Sequence, residues 1–170
     1  MSSGSEKLPA LFYAKDGKEV RRLITVGASI HERSARSGHS SLHLNRSASA
    51  VRELIQLGAD VSARSKWKET PLHKQQDRSL IVAALIRAGA DVDARDEEGD
   101  TPLHCSLSPA VTFRLLKAGA SPEKKNRQGQ LPEECYGTGA SARVMIRLVR
   151  EARKHGKISG RSWKKYEKRG

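Results

Sequence analysis

Apolar residues along this chain fall at helical spacing in four segments that end alike. Val20, Leu23 and Ile24 precede Gly27; Val51, Leu54 and Ile55 precede Gly58; Val82, Leu85 and Ile86 precede Gly89. In the fourth, Leu115 and Leu116 precede Gly119, and Thr112 stands where the valine did. The i, i+3, i+4 stripe predicts one amphipathic helix per segment, and the closing glycine supplies the left-handed cap that most side chains resist. The four glycines lie 31, 31 and 30 residues apart. Independent helices would not agree in phase and length in this way, so the chain carries an internal repeat. Residues 8–14, with Pro9 near the first turn, predict a short helix ahead of the first copy. Residues 141–155 predict a longer one after the last, with Val144, Met145, Leu148, Val149 and Ala152 at helical spacing.

Between these helices a second set of marks keeps the same period. Gly38, Lys68, Gly99 and Gly129 occupy equivalent turn positions, followed two residues on by Ser40, Thr70, Thr101 and Leu131. Thr70-Pro71-Leu72-His73 and Thr101-Pro102-Leu103-His104 each follow a Gly-Ala-Asp and a polar turn; Ser40-Ser41-Leu42-His43 is a weaker copy. A hydroxyl residue before proline combines an N-cap oxygen with a residue suited to the first helical position, so each mark opens a further helix. In these motifs the chain resembles the ankyrin-repeat family over roughly residues 8–155. The resemblance implies an all-α solenoid of about four to five helix pairs joined by β-turn or hairpin loops. It also implies that His43, His73 and His104 buttress the turns through hydrogen bonds.

The copies depart from the family pattern in one place. From Ser40, Thr70 and Thr101 to the next glycine cap there are 18, 19 and 18 residues, a few fewer than the family has. The shortfall lies between the Thr-Pro helix and the glycine-terminated one. Leu44-Asn45-Arg46, Lys74-Gln75-Gln76 and Cys105-Ser106-Leu107 stand where small residues are usual. Inner helices only a turn or two long, partly 3₁₀, are expected.

Composition narrows the picture further. Aromatic residues are 4% of the chain, so the core must rest on Leu, Ile, Val and Ala. The formal charge is +13, and residues 143–170 hold eleven Lys or Arg against Glu151 and Glu167. Basicity is therefore mostly a C-terminal property. Residues 1–7 read as a flexible leader, 8–155 as the repeat domain and 156–170 as a basic tail. Residues 1–7 lack the apolar run of a signal peptide, and no stretch approaches 18 consecutive apolar residues. A soluble intracellular monomer without a membrane segment is expected, cytoplasmic by default, with the nucleus as the alternative if the source is eukaryotic.

Chemistry-bearing residues form no catalytic constellation. The histidines come one per repeat, about 10 Å apart for packed helices, too far to share a zinc ion. Cys105 and Cys135 are also a repeat apart, beyond the roughly 7 Å reach of a disulfide. No phosphate loop or calcium loop has its required offsets, and no cofactor or metal site is expected.

What remains are binding surfaces. The turn tips carry Arg64, Trp67, Arg95 and Arg127, and the shortened inner helices carry Asn45, Arg46, Lys74 and Gln75. Trp67 either packs on a neighbouring tip or anchors a partner, since Trp and Arg dominate binding hot spots. These eight residues are the expected contacts for a protein partner. The alternative is nucleic-acid or ribonucleoprotein binding through the basic C-terminal helix and the tail, where Arg161, Trp163, Lys164, Lys165, Tyr166, Lys168 and Arg169 alternate positive charge with rings that can stack on bases.

Overall fold

The computed structural model describes residues 9–156. Among them the regular elements are all helical, and a single β-bridge joins Arg33 to Ser40. In chain order the helices are α1 (Gly17–Thr25), α2 (Ser41–Leu44), α3 (Ala48–Gln56), α4 (Pro71–Lys74), α5 (Ser79–Arg87), α6 (Pro109–Lys117) and α7 (Ala140–His155). Two 3₁₀ turns, Ala10–Phe12 and Pro132–Glu134, complete the set. α1, α3, α5, α6 and α7 pack one on the next as an outer layer, and α2 packs on α4 in an inner layer. Each outer helix follows one inner segment, so the stack has five units.

Three of the outer helices begin, and four of them end, by the same devices. Asp16, Ser47 and Ser108 cap α1, α3 and α6, their side chains accepting from Glu19 N (2.8 Å), Ala50 N (3.2 Å) and Val111 N (3.5 Å). At the other end the Gly-Ala pair closes the helix. Ala28, Ala59, Ala90 and Ala120 donate their N–H groups back to Leu23, Leu54, Leu85 and Leu115 at 2.9–3.0 Å. This is the reverse turn that a left-handed glycine permits, and it satisfies carbonyls that a helix end otherwise leaves open.

The core lies between the layers. Val20, Val51 and Val82 from the outer layer, and Leu42, Leu72 and Leu103 from the inner one, are all fully buried. Thr112, in the valine position, is equally buried, and its hydroxyl pairs with Ser106 Oγ at 2.8 Å. Tyr136 joins this group: its hydroxyl donates to Leu103 O at 2.8 Å and accepts from Ser106 Oγ at 3.3 Å. A buried hydroxyl without such partners would cost roughly 1–3 kcal/mol.

The inner segments are as short as their spacing predicts, and one has no helix at all. α2 and α4 are four residues each, residues 101–105 form turns without a helix, and the first and last units have only 3₁₀ turns. Arg153 turns inward to the buried Glu133 carboxylate at 2.5 Å and to Pro122 O at 3.0 Å, tying α7 to the turn before it.

Candidate functional site

Each turn tip is a small hairpin held by one polar side chain. Ser65 Oγ accepts from Trp67 N and Glu69 N, both at 3.2 Å. Asp96 Oδ1 takes Glu98 N and Asp100 N at 3.0 and 2.9 Å, and Asn126 Oδ1 takes Gln128 N and Gln130 N at 3.1 and 2.9 Å. Ser, Asp and Asn are suited to this because their short oxygens reach the backbone two residues on.

The tips then join to one another. Lys66 N donates to Ser37 O (3.0 Å), Glu97 N to Trp67 O (2.9 Å) and Arg127 N to Glu98 O (2.9 Å). An arginine from each repeat reinforces the link. Arg33 Nη1 reaches Arg64 O at 2.8 Å, Arg64 Nη1 reaches Arg95 O at 2.5 Å, and Arg95 Nη1 reaches Lys125 O at 2.8 Å. Arg64 and Arg95 also donate to Lys68 O and Gly99 O in their own turns, at 2.9 and 3.0 Å. The tips therefore form one continuous, hydrogen-bonded edge.

Behind that edge the three histidines make the same pair of hydrogen bonds. Each Nδ1 accepts the backbone N–H of its own Ser40, Thr70 or Thr101 at 3.1 Å. Each Nε2 therefore carries the proton and donates it to the next tip, to Glu69 O, Asp100 O and Gln130 O at 3.1, 3.0 and 3.2 Å. Burial outweighs these carbonyls and lowers all three pKa values, that of His43 to about 4. At neutral pH the rings are uncharged cross-braces between repeats.

The residues expected to meet a partner separate into two groups. Asn45 and Gln75 are 0% and 1% exposed, which removes them from any partner-contact surface. Asn45 Nδ2 donates to Leu11 O and Ala14 O, each at 3.0 Å. Gln75 Nε2 donates to Leu42 O, His43 O and Asn45 O at 3.0–3.1 Å. Each amide thus covers the open carbonyls at the end of the preceding inner segment, a need created by segments too short to satisfy their own. Arg64 and Arg95 are exposed on the edge but have their Nη1 atoms committed to it.

Arg46, Trp67 and Arg127 are exposed, and Lys74 is half-buried with its ammonium 3.5 Å from Glu69. Trp67 is 49% exposed and stands with its ring centre 5.8 Å from that of His39 in the preceding repeat. His39 in turn meets Glu69 Oε2 at 3.0 Å. The seven tail residues Arg161, Trp163, Lys164, Lys165, Tyr166, Lys168 and Arg169 lie outside the described residues.

Sequence reasoning passed over Arg33, although its spacing of 31 from Arg64 and a further 31 to Arg95 marks it as part of the same ladder. Nor did it bring together Asp96, Asp100 and Cys105, whose ligand-type atoms lie within 4.8 Å of one another. Two of their oxygens serve the tip: Asp96 Oδ1 as described, and Asp100 Oδ1 accepting from Asn126 Nδ2 at 2.8 Å. Burial, then the two carboxylates, push the Cys105 thiol up to about 12, and both cysteines are free.

A family model described as ankyrin repeats matches residues 44–126 in three copies. No curated protein matches the chain. No helix among the described residues is long and apolar enough to cross a membrane.

Proposed function

Because residues 44–126 are ankyrin repeats, generally a protein-interaction module and typically non-catalytic, we propose that this chain binds a partner protein along its turn-tip edge. The contacts are Trp67 and Arg127, with Arg46 and Lys74 on the adjoining inner face. The observation that carries this reading is the half-exposed Trp67 ring on an edge whose backbone is fixed by inter-repeat hydrogen bonds. A large aromatic held on a rigid frame gives contact area with little entropy lost on binding, which is how hot spots work. Arg64 and Arg95 hold the frame and touch a partner only through what remains of their guanidinium groups.

The test is affinity capture from the native host with the whole chain, then with Trp67→Ala and Arg127→Ala. Proteins retained by the parent chain and depleted at least about tenfold by Trp67→Ala are expected, the loss a hot-spot aromatic gives. An unchanged set of retained proteins with both variants overturns the reading.

A second reading, nucleic-acid contact, is favoured by α7, where Arg143, Arg147, Arg150 and Lys154 line one groove with Ile146 and Glu151. Neutralising phosphates releases counterions, so binding should weaken steeply with salt. Ending the chain at residue 156 separates the helix from the tail. Salt-insensitive binding, kept by the shortened chain, excludes this reading.

A further inference from the structure

The outer layer carries the charge of this molecule. Its five helices hold twelve Lys or Arg against Glu19, Glu53 and Glu151. Those carboxylates lie on α1, α3 and α7, and there they are partly used: Arg21 meets Glu53 at 2.8 Å and Arg147 meets Glu151 at 3.5 Å. α5 and α6 have no Asp or Glu.

Between α5 and α6 runs an open groove of about 470 Å³. Leu80 and the half-buried Ile86 supply its apolar surface over the buried Phe113 ring, and Arg87, Arg114 and Lys117 supply its charge. Leu80 is 47% exposed, although it sits in the first turn of a helix whose other large apolar residues are buried or half-buried. The cations are held around this surface. Arg114 Nε donates to Ser79 Oγ at 2.6 Å, Arg87 Nε donates to Ala83 O at 3.2 Å, and Lys117 Nζ stands 5.8 Å from the centre of the Phe113 ring.

We infer that this groove is a second binding surface, on the face opposite the inner helices, that takes an acidic amphipathic helix of a partner protein. A groove between two side-by-side helices has the shape of a third, and helix-in-groove recognition works through apolar anchors at i, i+3 and i+4. Leu80 and Ile86 meet those anchors above the buried Phe113, and three cations with no acid on either helix select carboxylates at the flanks. The chain's own tail is excluded on charge, since residues 157–170 contain six Lys or Arg and one Glu. Nucleic acid would use the cations but gain nothing from the leucine and isoleucine. This surface is separate from the tip edge and stands or falls independently of it.

The test uses the full chain and an array of 18-residue helix-forming peptides. Each carries Leu or Phe at i, i+3, i+4 and i+7, with zero to six Glu on the flanks. Retention should rise with the number of Glu and vanish when Ser replaces the apolar stripe. Arg87→Glu with Lys117→Glu should weaken the best peptide at least about tenfold, and Leu80→Gln severalfold, with the helical circular dichroism unchanged. Trp67→Ala should leave peptide binding intact. The inference is overturned if no peptide binds, if the Ser-substituted peptides bind as well, or if a 20-base-pair DNA duplex competes as well as the best peptide. It is equally overturned if sedimentation shows self-association that Arg87→Glu with Lys117→Glu abolishes, since the occupant would then be a second copy.

Discussion

The outer and inner layers of this stack do the same job by different means. Outer helices nine or more residues long meet through Val51, Leu54, Val82 and Leu85, all fully buried. The three middle inner segments, four to five residues long, offer one buried leucine each, Leu42, Leu72 and Leu103. They are joined instead by polar atoms: Asn45 and Gln75 on the carbonyls of the preceding segment, the histidines on the carbonyls of the next tip. A segment one turn long cannot satisfy its own carbonyls, and its apolar area is too small to hold it. Where shortening removes helix, hydrogen bonds between repeats replace packing.

Substitution of one residue in each layer tests that contrast, and it should show the largest effects. Leu85→Ala should lower the unfolding free energy by about 2–5 kcal/mol, the cost of a cavity in a central helix. Gln75→Leu keeps the volume and adds apolar surface, yet strips the partner from three buried carbonyls, so it should cost on the order of 3 kcal/mol. Urea unfolding of both variants makes the comparison. A neutral or stabilising Gln75→Leu would mean that the inner layer too is held by packing.

Acid should loosen the inner layer selectively. His43 has an unfolded pKa near 6.5 and a folded one of about 4 because burial disfavours the imidazolium. The unfolded chain therefore binds the extra proton first, and stability falls as the pH drops from about 6.5 towards 4, then levels for this group. At pH 5 the loss from His43 is on the order of 2 kcal/mol, and His73 and His104 act in the same direction. Urea midpoints against pH measure the slope, and proton NMR places each titration. A His43 titrating near its ordinary value while the chain stays folded would break the argument.

The outer layer was legible in the sequence because nine-residue helices are long enough to show a period, and each closes on Gly-Ala. The inner layer was not. With one turn per repeat there is no stripe to separate buried from exposed, so Asn45 and Gln75 read as surface when they are almost completely buried. The register held the missing signal: Asn45 and Gln75 are 30 apart, and Arg33, Arg64 and Arg95 are 31 apart. A polar residue that keeps the repeat's phase serves the stack first. Trp67 breaks phase, and it is the tip residue that stays half-exposed.

The edge itself makes smaller demands, and two turn glycines rank them. Gly99 has φ 78°, and a Cβ there would lie 3.1 Å from Arg127 N in the next tip; Gly129 has φ 77° and nothing within 4 Å. Gly99→Ala should therefore cost about 1–2 kcal/mol, for the left-handed backbone and the crowded link together, and Gly129→Ala about 1. Equal thermal shifts in the two variants would mean that tip-to-tip contact adds nothing to the stack.

Lys68 is the smallest and most informative of these positions. It holds φ 60° where the other tips have Gly38, Gly99 and Gly129, and it is the one non-glycine residue among those described with a positive φ. Its backbone does what theirs does, donating to Ser65 O and accepting from Arg64 Nη1, so the side chain adds nothing to the turn. Lys68→Gly should then raise stability by about 0.5–1 kcal/mol, the left-handed strain of a side chain less the greater freedom of glycine when unfolded. Strain kept beside an exposed tryptophan points to use at that place. If the tip edge is the binding surface, the same variant should be more stable in urea and weaker towards the partner that Trp67→Ala loses. A Lys68→Gly chain that gains stability and binds that partner as well as before would take Lys68 out of the contact and leave Trp67 to carry it.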